Sequence, residues 1–362
     1  MSRFLAGPRR QNFEHINAMT RSSFDVTVVI ATRNRASYLE RTLISLQSQR
    51  LQGLALEIVV VDNGSTDNTK SVQNRVWPGL EIVALYEEAA GKSRALNQAL
   101  GIVRSDLVVF TDDDITAAPT WLADIHRASQ RYRNAAIFCG PIVPCFPPET
   151  PVWLREHLDS SGFFGSFQPQ THEGPIADDV LPFGANFAVK SFALQGMRFN
   201  NWFGPSAQSA SRLGEDTEFV MRIRDRYQEC IYVAAALVFH HIRSSQIDPE
   251  WIFERAFQLG LAMINLHRRP MLVHEKYRFE VGSTDRDQQR RLERGGLLNY
   301  YCGQLSGWGS LVGGGYEEAD LRSALKLLEI NSHRDLLGRS ARLFDAAPDA
   351  ARRIPWPRRS QG

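Results

Sequence analysis

Apolar residues gather in this chain into short runs dominated by valine and isoleucine: VTVVIA at 26–31, LEIVVVD at 56–62, LEIVALY at 80–86 and DLVVFT at 106–111. Runs of this kind without alternation predict strands covered on both faces, as in a parallel sheet. Between them the apolar spacing becomes helical. Leu39, Leu43 and Leu46 fall on one face after the first run, and SRALNQALGIV follows the third. Strand, helix and strand in this order make βαβ units and predict an α/β domain built on a mixed sheet flanked by helices. From 141 the chain turns rich in Pro, Gly and aromatic residues, which predicts loops and short strands. Pattern returns in GEDTEFVMRIRDRY, where Phe219, Ile223 and Tyr227 share a helix face, and IYVAAALVF at 231–239 reads as one more strand, closed by HHIRSS. Beyond 248, WIFERAFQLGLAMINLH and ADLRSALKLLEI have helical spacing, and 348–362, with Pro348, Pro355 and Pro357, reads as a frayed tail.

Each early strand ends in a polar cluster: TRNR, DNGSTD and DDD. Ligands of open α/β sheets bind at the carboxyl ends of the strands, so these clusters are expected to line one crevice. With 362 residues, 43% hydrophobic and 23% charged, the chain has room for a large α/β domain plus an appendage and little room for global disorder. The net charge of +2 gives no support for an arginine surface that recognises phosphates or acidic lipids, and no nucleic-acid partner is expected. Nearly all basic residues are arginine, with lysine only at Lys70, Lys92, Lys190, Lys276 and Lys326, a skew best explained by genomic composition. Cys139, Cys145, Cys230 and Cys302 are far apart and show no zinc or disulfide spacing, so a reducing compartment is expected. No secretory leader or long apolar run is present, which predicts a cytoplasmic protein with any membrane contact peripheral.

Two acidic clusters carry candidate chemistry. Asp112, Asp113 and Asp114 directly follow a predicted strand, where three adjacent carboxylates repel one another unless a cation neutralises them, and hard oxygen ligands suit Mg²⁺ or Mn²⁺. The alternative is a solvated acidic turn. Glu215 and Asp216 open a helix, where the helix dipole favours ionised carboxylates, so plain charge capping competes there with general-base chemistry. In DNGSTDNT the residues Asn63, Ser65 and Asp67 are accounted for by turn and capping needs. AGKS is not a phosphate-binding P-loop, because Tyr86 stands where its upstream glycine is required.

The motifs VIATRNR, VVVDNGSTD, FTDDD and GEDTEF, in that order, resemble the inverting family 2 glycosyltransferases of the GT-A fold over about residues 26–260. The resemblance implies a metal-assisted transfer of sugar from a nucleotide-sugar donor to a hydroxyl on a polysaccharide or glycolipid precursor. It implies donor contacts from Ala31, Arg33, Asp62, Asp112 and Asp113, with Asp62 facing the base, although Arg33 stands where the family often has an aromatic residue. Gly91, Ala95 and Asn97 match a family segment in which Lys92 and Arg94 would face the diphosphate. Asp114, with Asp112, is the implied metal ligand. His240 is the implied imidazole ligand, since strand alternation lets only one of His240 and His241 reach the site. Asp216 is the implied base, Glu215 orients the acceptor, and Glu218 is structural. LPFGANFAV resembles an acceptor-side loop in which Gly184, Ala185 and Asn186 approach the sugar. Trp202, in a cluster with Phe199 and Phe203, is placed by its aromatic character either on a sugar face or in the core.

The expected organisation is an N-terminal lead at 1–24, a catalytic domain at 25–274 with a nucleotide-binding half at 25–120 and an acceptor-binding half at 121–247, a helical C-terminal appendage at 275–347 and a flexible tail at 348–362. A nucleotidyltransferase would share the sheet and the metal but has no need of the GED motif. A catalytically silent carbohydrate-binding or scaffold protein would have no need of Asp112, Asp114 and Asp216 together.

Overall fold

The computed structural model describes residues 24–150, 164–178, 180–205 and 213–248, with single positions at 155, 251, 254, 255, 258, 259, 262 and 266. The expected N-terminal lead, the C-terminal appendage and the tail lie outside the described residues, apart from Phe24.

The apolar runs form the strands. β1 (Val26–Thr32), β2 (Leu56–Asp62), β3 (Glu81–Tyr86) and β4 (Leu107–Thr111) lie side by side and parallel, β1 taking β2 on one edge and β4 on the other. Among the described strands β3 is outermost, with a single neighbour, and it is half exposed. Its apolar run looked like the others in sequence because sheet order, not composition, decides which strand is an edge. Helix α1 (Ala36–Gln47) buries Leu39, Leu43 and Leu46 as its spacing predicted, each contributing about 1.5–3 kcal/mol. It has no side-chain cap of its own, and Asp67 accepts the Ala36 N–H at 3.1 Å from the loop after β2. α2 (Thr69–Asn74), α3 (Lys92–Ile102) and α4 (Trp121–Arg131) follow in turn.

The second half extends the same sheet in mixed sense. β5 (Ile115–Ala117) leaves it at once, whereas β6 (Ile137–Cys139), β8 (Gly174–Pro175), β9 (Phe187–Lys190) and β10 (Cys230–Tyr232) join it, giving the order β3-β2-β1-β4-β9-β6-β10-β8. β9 runs antiparallel between β4 and β6. α5 (Ser191–Leu194) and α6 (Glu215–Tyr227) complete this half. This is the mixed, mostly parallel sheet flanked by helices that the GT-A resemblance implied.

The run at 231–239 is not one strand. After β10 the chain turns, with the Ala236 N–H donating to the Val233 carbonyl at 2.9 Å, and re-enters as β11 (Val238–His241) in a separate sheet between β5 and β7 (Ile142–Cys145). An unbroken apolar run cannot reveal a change of sheet, because both halves are buried. The change matters for the site. β5 starts directly after Asp114, and the antiparallel pairing of β5 with β11 sets His240 opposite Ile115. Among the described residues no helix is long and apolar enough to cross a membrane.

Candidate active site

The DDD turn at the end of β4 is held from below by α1, where the buried Thr42 hydroxyl lies 2.9 Å from the carbonyls of both Asp113 and Ile115 and shares its one hydrogen between them. Asp113 is buried, and both its oxygens are used inside the protein. Oδ1 accepts from Arg35 Nη1 at 2.8 Å and Oδ2 from the Thr32 hydroxyl at 2.7 Å. Burial and the neighbouring Asp114 charge push its carboxyl above the usual range, against the pull of Arg35. Arg35 Nη1 also reaches Asp114 Oδ2 at 2.9 Å, and its own proton affinity rises mainly through Asp113. Asp112 accepts from Lys92 Nζ at 2.7 Å.

The remaining oxygen of Asp114, Oδ1, is buried without a hydrogen-bond partner among the described residues. It faces His240 Nε2 at 3.4 Å. The opposite ring nitrogen, Nδ1, is 2.8 Å from the Phe164 carbonyl, which can only accept, so Nδ1 carries the hydrogen. Nε2 therefore turns to Asp114 either a proton or a lone pair. Burial alone would raise Asp114 and lower His240; their mutual attraction, with Arg35 acting on Asp114, outweighs it and moves both the other way. A cation taking the place of that proton would meet one hard oxygen and one imidazole nitrogen. This donor set fits Mn²⁺ or Mg²⁺, ions that keep water and phosphate oxygens for their other positions. Among the described residues no group of three or more His, Cys, Asp or Glu forms a cage on its own. His241 points the other way, to the Thr116 hydroxyl at 2.6 Å.

The second acidic cluster meets the first through one side chain. Lys92 Nζ lies 2.7 Å from Asp112 and 3.0 Å from Glu215. Burial alone would lower its proton affinity, but Asp112, Glu215 and Asp216 outweigh it and hold Lys92 well above its ordinary value. Glu215 and Asp216 open α6 behind Gly214, whose φ of 94° is a left-handed conformation that glycine adopts without a steric penalty. Asp216 Oδ2 accepts the Gly184 N–H, and Oδ1 accepts the Thr217 N–H at 2.7 Å. The approach is close enough that a Cβ on residue 184 would stand 2.9 Å from Oδ2. Burial first, then the Glu215 charge, push Asp216 up to about 6, against Lys92 and the Thr217 N–H. The helix dipole that favoured ionisation in the sequence argument is thus overcome by desolvation.

The model of the family described as Glycosyl transferase family 2 matches residues 27–195. An uncharacterized glycosyltransferase of Nostoc sp. is 31% identical over 288 residues, covering 74% of this chain and 81% of that protein. This chain belongs to glycosyltransferase family 2. The pre-mycofactocin glycosyltransferase of Mycobacterium tuberculosis is 30% identical over 259 residues, 68% of this chain, and the match spans only 48% of that longer relative. A solved mannosyltransferase from Pyrobaculum calidifontis, in complex with GDP-Man and Mn²⁺, has a TM-score of 0.48 at 19% identity, covering 92% of this chain and 86% of that one.

Other expected site residues of this family 2 chain separate into two groups. Asp62 is buried, with Oδ1 accepting the Ser65 N–H at 2.9 Å and Oδ2, also buried, without a hydrogen-bond partner among the described residues. Gly184 stands against the base candidate. Ala31 is half-buried in β1, Arg33 and Arg94 are exposed, and Trp202 is 43% exposed with its ring edge-on to Phe203. The Phe203 carbonyl accepts the Ser93 hydroxyl at 2.9 Å, which ties this aromatic loop to the start of α3 beside Lys92. Asn186 and Ala185 point inward. Asn186 is fully buried, its oxygen accepting from Trp121 Nε1 at 2.8 Å and its nitrogen donating to the carbonyls of Pro141 and Ala236 at 3.0 and 2.7 Å, which leaves its side chain nothing to offer an acceptor. The Ala185 carbonyl takes the Thr111 hydroxyl at 2.7 Å. Sequence reasoning missed Arg35. The available signal was that three carboxylates need counter-charges, but several arginines compete for that role in sequence.

Proposed function

We propose that this chain transfers a sugar, with inversion at the anomeric carbon, from a nucleoside-diphosphate sugar to a hydroxyl of a polysaccharide or glycolipid precursor. One observation carries the reading: Lys92 joins the DDD turn to the GED helix start, so a donor site and a buried carboxyl of raised proton affinity share one crevice.

In this reading Asp62 Oδ2 accepts an N–H of the nucleotide base, Ala31 and Arg33 flank the base, and Asp112 faces the ribose. Asp114 and His240 hold the divalent cation, Mn²⁺ or Mg²⁺, which when bound supplies charge compensation for the leaving diphosphate. Asp113 acts through Arg35, keeping the turn in shape. Asp216 takes the proton of the acceptor hydroxyl as that oxygen bonds to the anomeric carbon, while the bond from that carbon to the phosphate oxygen breaks and its electron pair leaves with the nucleoside diphosphate. The Gly184 and Thr217 N–H groups aim the carboxyl, Glu215 orients the acceptor, and Trp202 offers a ring face to it. A proton affinity near neutrality suits a general base, which must be ionised before the reaction and must take a proton during it. The site of action is the cytoplasm, with peripheral contact at the inner membrane face where the acceptor is a glycolipid.

The test is calorimetric titration with UDP, dTDP and GDP, with and without Mn²⁺, followed by NMR of the product formed from the matching nucleotide sugar. Metal-dependent binding of one nucleotide and a product of opposite anomeric configuration are expected. Retention of configuration would rule out the single displacement, and full affinity in EDTA would remove the cation from the mechanism.

A further inference from the structure

The charges of the crevice do not all cancel. Asp112 and Glu215 share Lys92, and Asp113 and Asp114 share Arg35. One more cation, Arg243, stands beside this group, three residues past His240 where the chain leaves β11. Its charge acts on Asp114, and it in turn feels Asp113, Asp114, Tyr38 and Arg35. Arg243 is half-buried and forms no salt bridge among the described residues.

Its side chain is nevertheless anchored. Gln246, itself buried, accepts through one oxygen both the Arg243 backbone N–H at 2.9 Å and Nε–H at 3.2 Å, and the Gln246 N–H returns to the Arg243 carbonyl at 2.8 Å. The short 3₁₀ turn Ser244–Gln246 thus grips the guanidinium by its Nε edge. The two terminal nitrogens donate to no group among the described residues. They form the fork that matches two oxygens of a phosphate. Burial first, then the like charge of Arg35, push Arg243 below its ordinary proton affinity, against the pull of Asp114, Tyr38 and Asp113.

We propose that Arg243 receives a phosphate of the donor diphosphate and takes up part of the negative charge that the leaving group gains. The inference rests on the donor-site reading given above and adds to it a residue outside the four motifs. During transfer the electron pair of the broken bond settles on the phosphate oxygen. The Arg243 N–H groups donate to that phosphate and keep their protons, because guanidinium remains charged at neutral pH. Gln246 acts as a positioning residue, since it fixes the Nε edge and so aims the fork.

The experiment compares wild type with Arg243→Ala, Arg243→Lys and Gln246→Ala in calorimetric titrations with UDP, dTDP and GDP in the presence of Mn²⁺. The nucleoside of whichever binds is measured alongside by saturation-transfer NMR. Arg243→Ala is expected to weaken the diphosphate about ten- to a hundredfold, the usual worth of hydrogen bonds to a charged group, and to leave the nucleoside unaffected. Arg243→Lys should recover part of the loss and Gln246→Ala should show a smaller one. Thermal unfolding of each variant identifies any loss that comes from the fold, and such a loss would weaken nucleoside and diphosphate alike. Equal diphosphate affinity in wild type and Arg243→Ala overturns the inference while leaving the donor site standing. Failure of the wild type to bind any of the three nucleotides overturns the donor-site reading, and this inference with it.

Discussion

The two acidic clusters of the site differ in how their carboxylates are partnered. In the DDD turn each carboxylate meets a cation: Lys92 for Asp112, Arg35 for Asp113 and Asp114, with His240 against the last. At the start of α6, among the described residues, Glu215 has such a partner and Asp216 has no ion pair within the same distance. Asp216 is held by two backbone N–H groups, and its carboxyl is pushed up to about 6. At Asp114 the matched charge outweighs burial and favours the ionised form, which suits holding a ligand, whereas at Asp113 burial still raises the carboxyl and Arg35 only fixes it in place. A carboxyl that lacks a direct counter-ion in a dry site keeps an affinity for protons, which suits moving one. The difference arises from which side chains fold back onto each cluster, since both are runs of Asp and Glu beside an element end.

The sharpest way to break this comparison is Asp216→Asn. The amide keeps the shape but cannot take a proton, so turnover is expected to fall by about 10² to 10⁴ while nucleoside-diphosphate affinity stays near that of wild type. Near-normal turnover would move the base to Glu215. On the ligand-holding side, Asp114→Asn should abolish most of the Mn²⁺ dependence of nucleotide binding in calorimetry, His240→Ala should reduce it less, and His241→Ala should hardly change it. A larger effect from His241 than from His240 would contradict the orientation of the two rings.

Asn186 tests whether a residue between the clusters serves the fold or the acceptor. Asn186→Ala strips partners from the Trp121 N–H and from two buried carbonyls, and urea unfolding should show a loss of about 2–5 kcal/mol. Unchanged stability with weakened acceptor binding would return Asn186 to the acceptor side. The smallest expected effect is on pH. The base must be ionised, so kcat/KM should rise with pH through about 6. Lys92 lowers the proton affinity of Asp216, so Lys92→Met should raise it and carry the acid limb to higher pH by about one unit. A limb that stays in place would mean that Lys92 serves the donor turn alone.

The sequence by itself determined the four parallel strands, the helices between them and the chain order of the motifs, because apolar periodicity and turn residues are local properties. It also picked out Asp62, Asp114, Asp216 and His240 as candidates, through the resemblance of their motifs to family 2 glycosyltransferases, with each at the end of a strand or the start of a helix. Tertiary structure alone decided the rest. The break of the run at 231–239 into β10 and β11 depends on which sheet each half joins, and that pairing sets His240 beside Asp114. The role of Asn186 depends on three partners far away in sequence: Trp121, Pro141 and Ala236. The choice of Arg35 and Arg243 among many basic residues was invisible in the chain, and Lys92, singled out there only as a diphosphate contact, gave no sign that it pairs with both Asp112 and Glu215. Counter-charges act through distance and burial, and both exist only once segments remote in sequence have packed together.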